Sequence, residues 1–377
     1  MRIVDRYVVA LFLRVFLICC TCLTGIYVVG DFVENLNEFI DAGDEHGGLL
    51  KVLANYYAGR VPWFLDMIGR VAALIAGVFA VTWLQRNNEM TALMAAGISR
   101  WRIIKPIVIG VIVVSVLSAV NRELIIPRFR EDLSQSIGDW SGNRATPLSP
   151  QFDYMTDILI DGQRVVAREK KIIKPMFRLP ATMSHFGYQL TAEQATRLTE
   201  TVDHPTGYLL EDVALPEGVG ELDAVLLDGR PVIYTPKMAP WLKPNQCFVA
   251  SYVTFGQLLG GRSWRQFAST ADLIAGLKNP SMNFGADVRV SVHSRLLQPL
   301  LDVTLFFLGI PVVLARESRN VFVSAGSCVM IVALYFITVL SSHGLGMNYL
   351  ISPAFAAWCP VFIMVPLAIL RSSPLRR

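Results

Sequence analysis

Few residues in this chain are of types that do chemistry, and their spacing argues against covalent catalysis. The five histidines, His46, His185, His204, His293 and His343, show no metal-ligand spacing and pair with no serine or cysteine nucleophile motif. No glycine-rich phosphate loop ending in Gly-Lys-Ser or Gly-Lys-Thr occurs, so nucleotide-driven work would need a separate ATPase. Of the six cysteines, Cys19, Cys20, Cys22, Cys328 and Cys359 fall in or beside apolar runs and only Cys247 lies in polar sequence, which predicts no structural disulfide. The Cys19, Cys20 and Cys22 cluster lacks the small-residue pattern of a lipoprotein acylation site. No catalytic residue, metal or cofactor is expected.

What remains is charge placed inside apolar sequence, which is expensive unless paired. Asp66 and Arg70 stand four residues apart and are expected to satisfy one another. The other reading turns Arg70 toward a cavity and an anionic lipid headgroup. Asp302 and His343 pose the same choice and are expected to be interfacial residues rather than ligands.

A second kind of chemistry, partner docking, is suggested by the run Gln85-Arg86-Asn87-Asn88-Glu89-Met90-Thr91-Ala92-Leu93-Met94-Ala95-Ala96-Gly97-Ile98-Ser99-Arg100. Met90, Leu93, Met94 and Gly97 share one helical stripe, Ala95 and Ala96 permit close approach, and Gly97 should end the helix. Glu89 falls in the first turn, where the helix dipole favours an acid. This is an amphipathic helix across one mouth of a membrane domain: either a plain interfacial linker or a helix that docks on an ATPase.

The elements that must position these residues are membrane helices. The composition is 53% hydrophobic and 17% charged, well below the roughly 25% charged of soluble domains, and several runs approach the about 20 apolar residues that a span needs. Six are expected: Val8 to Gly30, Val61 to Leu84, Ile103 to Val120, Leu296 to Ala315, Val321 to Leu340, and Pro353 to Leu370. The first contains Arg14, which can snorkel, and is too long for a cleaved signal peptide. Pro299, Pro311, Pro353, Pro360 and Pro366 interrupt the later ones, as lipid-embedded helices tolerate. Phe306, Phe307, Leu308, Tyr335 and Phe336 suit an acyl-chain cavity or plain packing equally.

Basic residues sort to one side: Arg2 and Arg6; Arg86, Arg100, Arg102 and Lys105; Arg316 and Arg319; Arg371, Arg376 and Arg377. That side is expected to be the cytoplasm, with both termini on it. The net charge of +4 is accounted for by these loops, and nucleic acid is not an expected partner. The stretch 128–288 falls opposite and its pattern is β. Apolar arms flank Asp161-Gly162 and again Asp228-Gly229, which predicts two hairpins. Further strands are expected over Gly207 to Val213 and Cys247 to Phe255, in a sandwich, jelly roll or open barrel. Thr270 to Ile274 should be a capped short helix. The expected division is 1–127 for three spans with the docking helix at about 86–99, 128–288 for the β-domain, and 289–377 for three more spans.

Residues Asn88 to Ser99 resemble the coupling segment of the LptF/LptG (YjgP/YjgQ) permeases of the lipopolysaccharide export transporter. Supporting matches are Asn121-Arg122-Glu123-Leu124-Ile125-Ile126-Pro127, Arg295-Leu296-Leu297-Gln298-Pro299-Leu300 and Gly309-Ile310-Pro311, and the resemblance runs in order along the whole chain. It implies a bacterial inner-membrane permease, not an enzyme, with six helices and a periplasmic β-jellyroll. It further implies pairing with a second LptF/LptG-like subunit, drive from a cytoplasmic LptB-like ATPase dimer, and extraction of lipopolysaccharide for LptC/LptA-like jellyroll proteins. On this resemblance Glu89, Met90, Leu93, Met94 and Gly97 meet the ATPase.

The chain departs from the family where basic residues often end the first span, since here Asp31, Glu34, Glu38 and Asp41 are acidic. Two alternatives therefore stay open on the sequence: export of a different envelope lipid, as a homodimer, and a membrane-anchored periplasmic scaffold with no ATPase.

Overall fold

The structure, a computed structural model, describes residues 3–45, 48–134, 146–166, 169–201, 204–227, 229–314 and 321–372. Arg2, His46, Asp228, Ala315, Arg316, Arg319, Arg376 and Arg377 lie outside the described residues, as do the side chains of His185 and Cys328. In chain order come helices α1 (Ile3–Glu34), α2 (Leu36–Glu45), α3 (Leu49–Arg86), α4 (Glu89–Ala95) and α5 (Arg100–Val120). A π-helical turn at Asn121–Ile125 and a 3-10 turn lead to α6 (Arg130–Ser134). Among the described residues nine strands follow: β1 (Thr146–Pro147), β2 (Gln151–Asp153), β3 (Ile158–Val166), β4 (Lys171–Arg178), β5 (Gln189–Leu198), β6 (Gly207–Leu215), β7 (Val225–Leu227), β8 (Arg230–Tyr234) and β9 (Cys247–Ala250). Helices α7 (Phe255–Phe267), α8 (Thr270–Leu277), α9 (Ala286–Leu314), α10 (Val321–Met347) and α11 (Pro353–Arg371) complete the chain.

The chain divides into two compact units, one of Met1–Leu36, Tyr57–Pro127 and Gly285–Arg377, the other of Asn37–Tyr56 and Arg128–Phe284. Five helical stretches among the described residues, all lying wholly or mostly in the first unit, are long and apolar enough to cross a membrane: Ile3–Glu34, Leu49–Arg86, Arg100–Phe129, Val329–Met347 and Pro353–Arg371. The sixth expected span lies inside α9, a 29-residue helix that is not among those five and whose first half carries Asp287, Arg289, His293 and Arg295. Apolar side chains cover the outside of this unit; Ile26, Leu340 and Leu370 are 71%, 76% and 75% exposed. Water would penalise such a surface, and lipid does not.

The interior of that unit is assembled from all its long helices, with Phe12, Leu84, Ile103, Ile107, Phe306 and Tyr335 essentially fully buried. Helix α9 packs against α5, α10 and α11, and α1 against α5. Glycine permits two of the closest approaches: a Cβ at Gly77 would run into the Phe306 ring, and one at Gly110 into Phe12. Small residues at helix crossings serve lipid-embedded bundles in this way. Pro62, Pro106, Pro299, Pro311, Pro360 and Pro366 all sit within continuous helices.

The second unit holds one open antiparallel sheet in the order β1-β3-β4-β5-β6-β9-β8-β7, with β2 also on β3. The expected turn at Asp161-Gly162 does not occur: β3 runs straight through it, Gly162 opposing Pro175. Gly162 is needed for space rather than for turning, because a Cβ there would strike Ile172. The chain reverses later, with Lys170 at φ 51° before β4. The second hairpin is present, Leu227 facing Arg230 with Gly229 at φ 77°. The run expected as a strand to Phe255 stops at Ala250, and Phe255 begins α7.

Strand β9 is buried on both faces, as its unbroken apolar run requires. Cys247 and Val249 enter the main core; Phe248 and Ala250 enter a second cluster with Ala239 and Leu242. Tyr208 is fully buried and donates its hydroxyl to the Val253 carbonyl at 2.9 Å. Burial pushes both the Tyr208 hydroxyl and the Cys247 thiol well up from their ordinary values. Helix α8 opens on a capping box: Ser269 accepts from the Asp272 N–H and Asp272 from that of Ser269.

Candidate functional site

Helix α4 is set between two backbone conformations that its flanking residues favour. Asn88 precedes it at φ 58°, a left-handed position that Asn tolerates. Gly97 follows at φ 79°, its N–H donating to the Met94 carbonyl and that of Ile98 to the Leu93 carbonyl. This pair of bonds is a Schellman ending, completed by the apolar residues Leu93 and Ile98 on the same side. Three residues later α5 begins, so the end of one helix is tied closely to the start of the next.

The apolar stripe does not lie open. Met90 is 3% exposed and belongs to the interior of the membrane unit, and Leu93, Met94 and Ile98 pack against it. Arg100 Nε donates to Met94 Sδ at 3.4 Å. The stripe therefore seats α4 on its own membrane helices. The outward face is made of Thr91, Ala92, Ala95, Ala96 and Gly97, all exposed. Glu89 is half-buried at one end, where it accepts a hydrogen bond from the Tyr7 hydroxyl of α1 at 3.2 Å. Tyr7 had no sequence signal beyond its place in an apolar run; its spacing from Glu89, 82 residues, becomes legible only once α1 and α4 are packed.

The charges inside the bundle are paired differently from the local expectation. Asp66 is bridged not by Arg70 but by Arg122, whose Nε and terminal N–H groups donate to both carboxylate oxygens at 3.0 Å. The i, i+4 pairing loses because a guanidinium arriving from another helix can meet the carboxylate as a planar two-bond fork. The π-helical turn at Asn121–Ile125 brings this about, since it lets Asn121 reach the Pro62 carbonyl at 2.7 Å while its neighbour Arg122 reaches Asp66. Arg70 is half-buried and lies within electrostatic range of Tyr335 and His343.

Asp302 is likewise met from other turns and helices. It is 8% exposed and accepts from Ser115 Oγ of α5 at 2.8 Å and from Gln298 Nε2 at 2.6 Å. His343 Nε2 stands 2.9 Å from Ser294 Oγ, joining α10 to α9. The sequence offered Asp302 and His343 as isolated charges; their serine and glutamine partners carry no motif and come from other turns and helices. At the end of α1, Asp31 accepts from the Tyr57 hydroxyl at 2.8 Å, so part of that acidic stretch is already satisfied.

Apolar helices sheathed in exposed aliphatic side chains, charges paired within the bundle, and an inserted antiparallel sheet define a multi-pass membrane protein with an inserted β-domain. The chain belongs to the family described as Lipopolysaccharide export system permease LptF/LptG, whose model matches residues 6–153 and 265–373. Among curated proteins no match is found. The family is a transporter permease rather than an enzyme, and membership makes this chain a component of the lipopolysaccharide export system.

Proposed function

We propose that this chain is one permease subunit of an ATP-driven exporter that draws lipopolysaccharide, or a related envelope glycolipid, from the inner membrane and hands it to its own β-domain. The observation that carries the reading is α4: its stripe of Met90, Leu93 and Met94 is seated in the membrane unit, while Glu89 and a flat face of small residues stay outside it. A linker needs no such division. In this proposal the outward face and Glu89 meet a separate LptB-like ATPase dimer, and Met90, Leu93 and Met94 relay its movement inward. Gly97 fixes the angle at which α4 enters α5.

The sorting of basic residues supports a cytoplasmic side for both termini and α4, and in this proposal the β-domain faces the periplasm, where LptC/LptA-like jellyroll proteins would receive the lipid. A second LptF/LptG-like subunit would complete the cavity. Arg70, half-buried beside Tyr335, is the headgroup contact we favour now that Asp66 has Arg122 as its partner. Asp31, Glu34, Glu38 and Asp41 favour one variant of this reading, in which the cargo is another envelope lipid and the permease a homodimer.

The test is a photocrosslinker at Ala95 in native membranes, with mass spectrometry of the captured protein. Capture of an ABC ATPase, lost on Glu89→Ala with the protein still folded, is the expected result. Absence of any ATPase from a well-expressed protein would overturn the coupling and favour a passive scaffold.

A further inference from the structure

The β-domain carries a cleft of about 310 Å³ walled by Gln151, Phe152, Tyr154, Arg265, Asn283 and Phe284. Its aromatic wall is exposed and is anchored from beneath. Phe152 and Tyr154 are 40% and 52% exposed and meet edge to face at 5.0 Å. Between them Asp153 points the other way and is fully buried, its carboxylate accepting from the Ser251 hydroxyl and from the N–H groups of Met155 and Thr156. Strand alternation turns Phe152 to the face opposite Asp153, and the turn that follows β2 leaves Tyr154 exposed beside it.

The facing wall is laced to the first. Tyr154 N–H donates to the Ser281 carbonyl, Tyr252 N–H to Ser281 Oγ, and Asn279 Nδ2 to the Tyr252 carbonyl. Gln257 spans the base, accepting from Thr254 N–H and donating to Met282 Sδ. Phe284 fits only because residue 276 is glycine: a Cβ there would overlap its ring. The Arg265 guanidinium lies over Phe284, 5.9 Å from the ring centroid.

Two exposed aromatic rings on the wall of a preformed cleft with a few oriented polar groups are what ligand sites share. We propose that this cleft binds the sugar portion of the exported glycolipid, a saccharide ring carrying an anionic substituent such as phosphate. Phe152 and Tyr154 offer faces for the apolar side of a sugar ring, Gln151 and Asn283 offer amides for its hydroxyls, and Arg265 supplies the cation for the anionic group. An extended peptide is the poorer fit. The backbone N–H groups of Ser149 and Tyr154, which strand addition would need, already donate to Leu258 and Ser281.

The inference rests on the exporter reading, and its test separates the two. Full-length protein in detergent is titrated with core oligosaccharide freed of its acyl chains, with its phosphates intact or removed, and binding is read by saturation-transfer NMR. The phosphorylated form should bind. The double variant Phe152→Ala, Tyr154→Ala should weaken it by about tenfold or more. Arg265→Gln, which keeps the aromatic wall, should abolish the preference for the phosphorylated form while the neutral form binds as before. No transfer to the wild-type protein, or unchanged binding by the double variant, overturns the proposal. Capture of a protein rather than saccharide by a photocrosslinker at Tyr154 in native membranes also overturns it. ATPase capture at α4 is read on the same preparation: capture without sugar binding sinks the cleft alone, and sugar binding without capture sinks the exporter reading alone.

Discussion

Replacing Arg122 with alanine removes two charge-assisted hydrogen bonds and leaves the Asp66 carboxylate, 14% exposed, without its cation. Breaking a buried pair from one side costs about 3–5 kcal/mol. The residual exposure of both side chains places this pair at the lower edge, about 3 kcal/mol. Asp66→Asn keeps an acceptor and should cost about 1–2 kcal/mol. The double variant Asp66→Asn, Arg122→Ala should cost less than the sum of the two single variants, a coupling of about 2 kcal/mol, since neither charge is then stranded. Arg70→Ala combined with Asp66→Asn should instead be additive within about 0.5 kcal/mol. The assay is reversible unfolding in mixed micelles titrated with dodecyl sulfate and followed by tryptophan fluorescence. Coupling under about 0.5 kcal/mol for the Asp66–Arg122 pair, or a larger value for Asp66–Arg70, would refute the pairing argued here.

Three shorter predictions concern the other sites. Tyr7→Phe removes the hydroxyl that donates from α1 to Glu89; stability should change by less than about 1 kcal/mol while ATPase capture at α4 changes measurably, and an unchanged capture yield would make that bond incidental. Gly97→Ala forces a side chain into φ 79°, costing about 1–2 kcal/mol, and should uncouple ATP hydrolysis from lipid release in reconstituted vesicles without lowering hydrolysis itself. Cys247 and Tyr208 have raised values in the folded state, so their contribution to stability is complete below the ordinary values of 9.0 and 10.0 and is lost as pH rises above them. The β-domain should accordingly melt at a constant temperature from pH 6 to 8 and at falling temperatures above about pH 9, and Cys247 should resist maleimide at pH 8 until the domain unfolds.

What the sequence disclosed follows from which interactions are local. Hydrophobic run length located α1, α5, α10 and α11, and Gly97 marked the end of α4, because span length and left-handed backbone are properties of the segment itself. The start of α3 was missed, since Leu49 to Gly59 includes Lys51, Asn55 and two tyrosines and reads as too polar for a span. Asp161-Gly162 has the composition of a hairpin turn, but Ile172 on the neighbouring strand decides its role. The direction of the apolar stripe on α4 also escaped the sequence: periodicity gives a stripe and is silent on whether it faces the chain's own core or a partner. Asp66 misled for the same reason, its true cation arriving from 56 residues away.

The paired groups acquire a common role when α5 is followed from end to end. It starts three residues past the glycine that closes α4, carries Ser115 on to Asp302 of α9, and passes through the π-helical turn to deliver Asn121 and Arg122 to α3. Its 21 residues span about 32 Å, so one continuous rod joins α4 to polar contacts on two other helices. Polar bonds in a bundle otherwise held by dispersion resist sliding, because a displaced partner leaves a carboxylate unmet in a medium that cannot solvate it. A push on α4 would therefore move α3, α5 and α9 as one block rather than dissipate in a flexing α5. On this argument the Asp66–Arg122 bridge matters to transport as well as to stability. Arg122→Lys, which keeps the charge but not the two-bond fork, should leave the protein folded while reducing lipid release per ATP. Release at the wild-type ratio would mean that the block is held by packing alone.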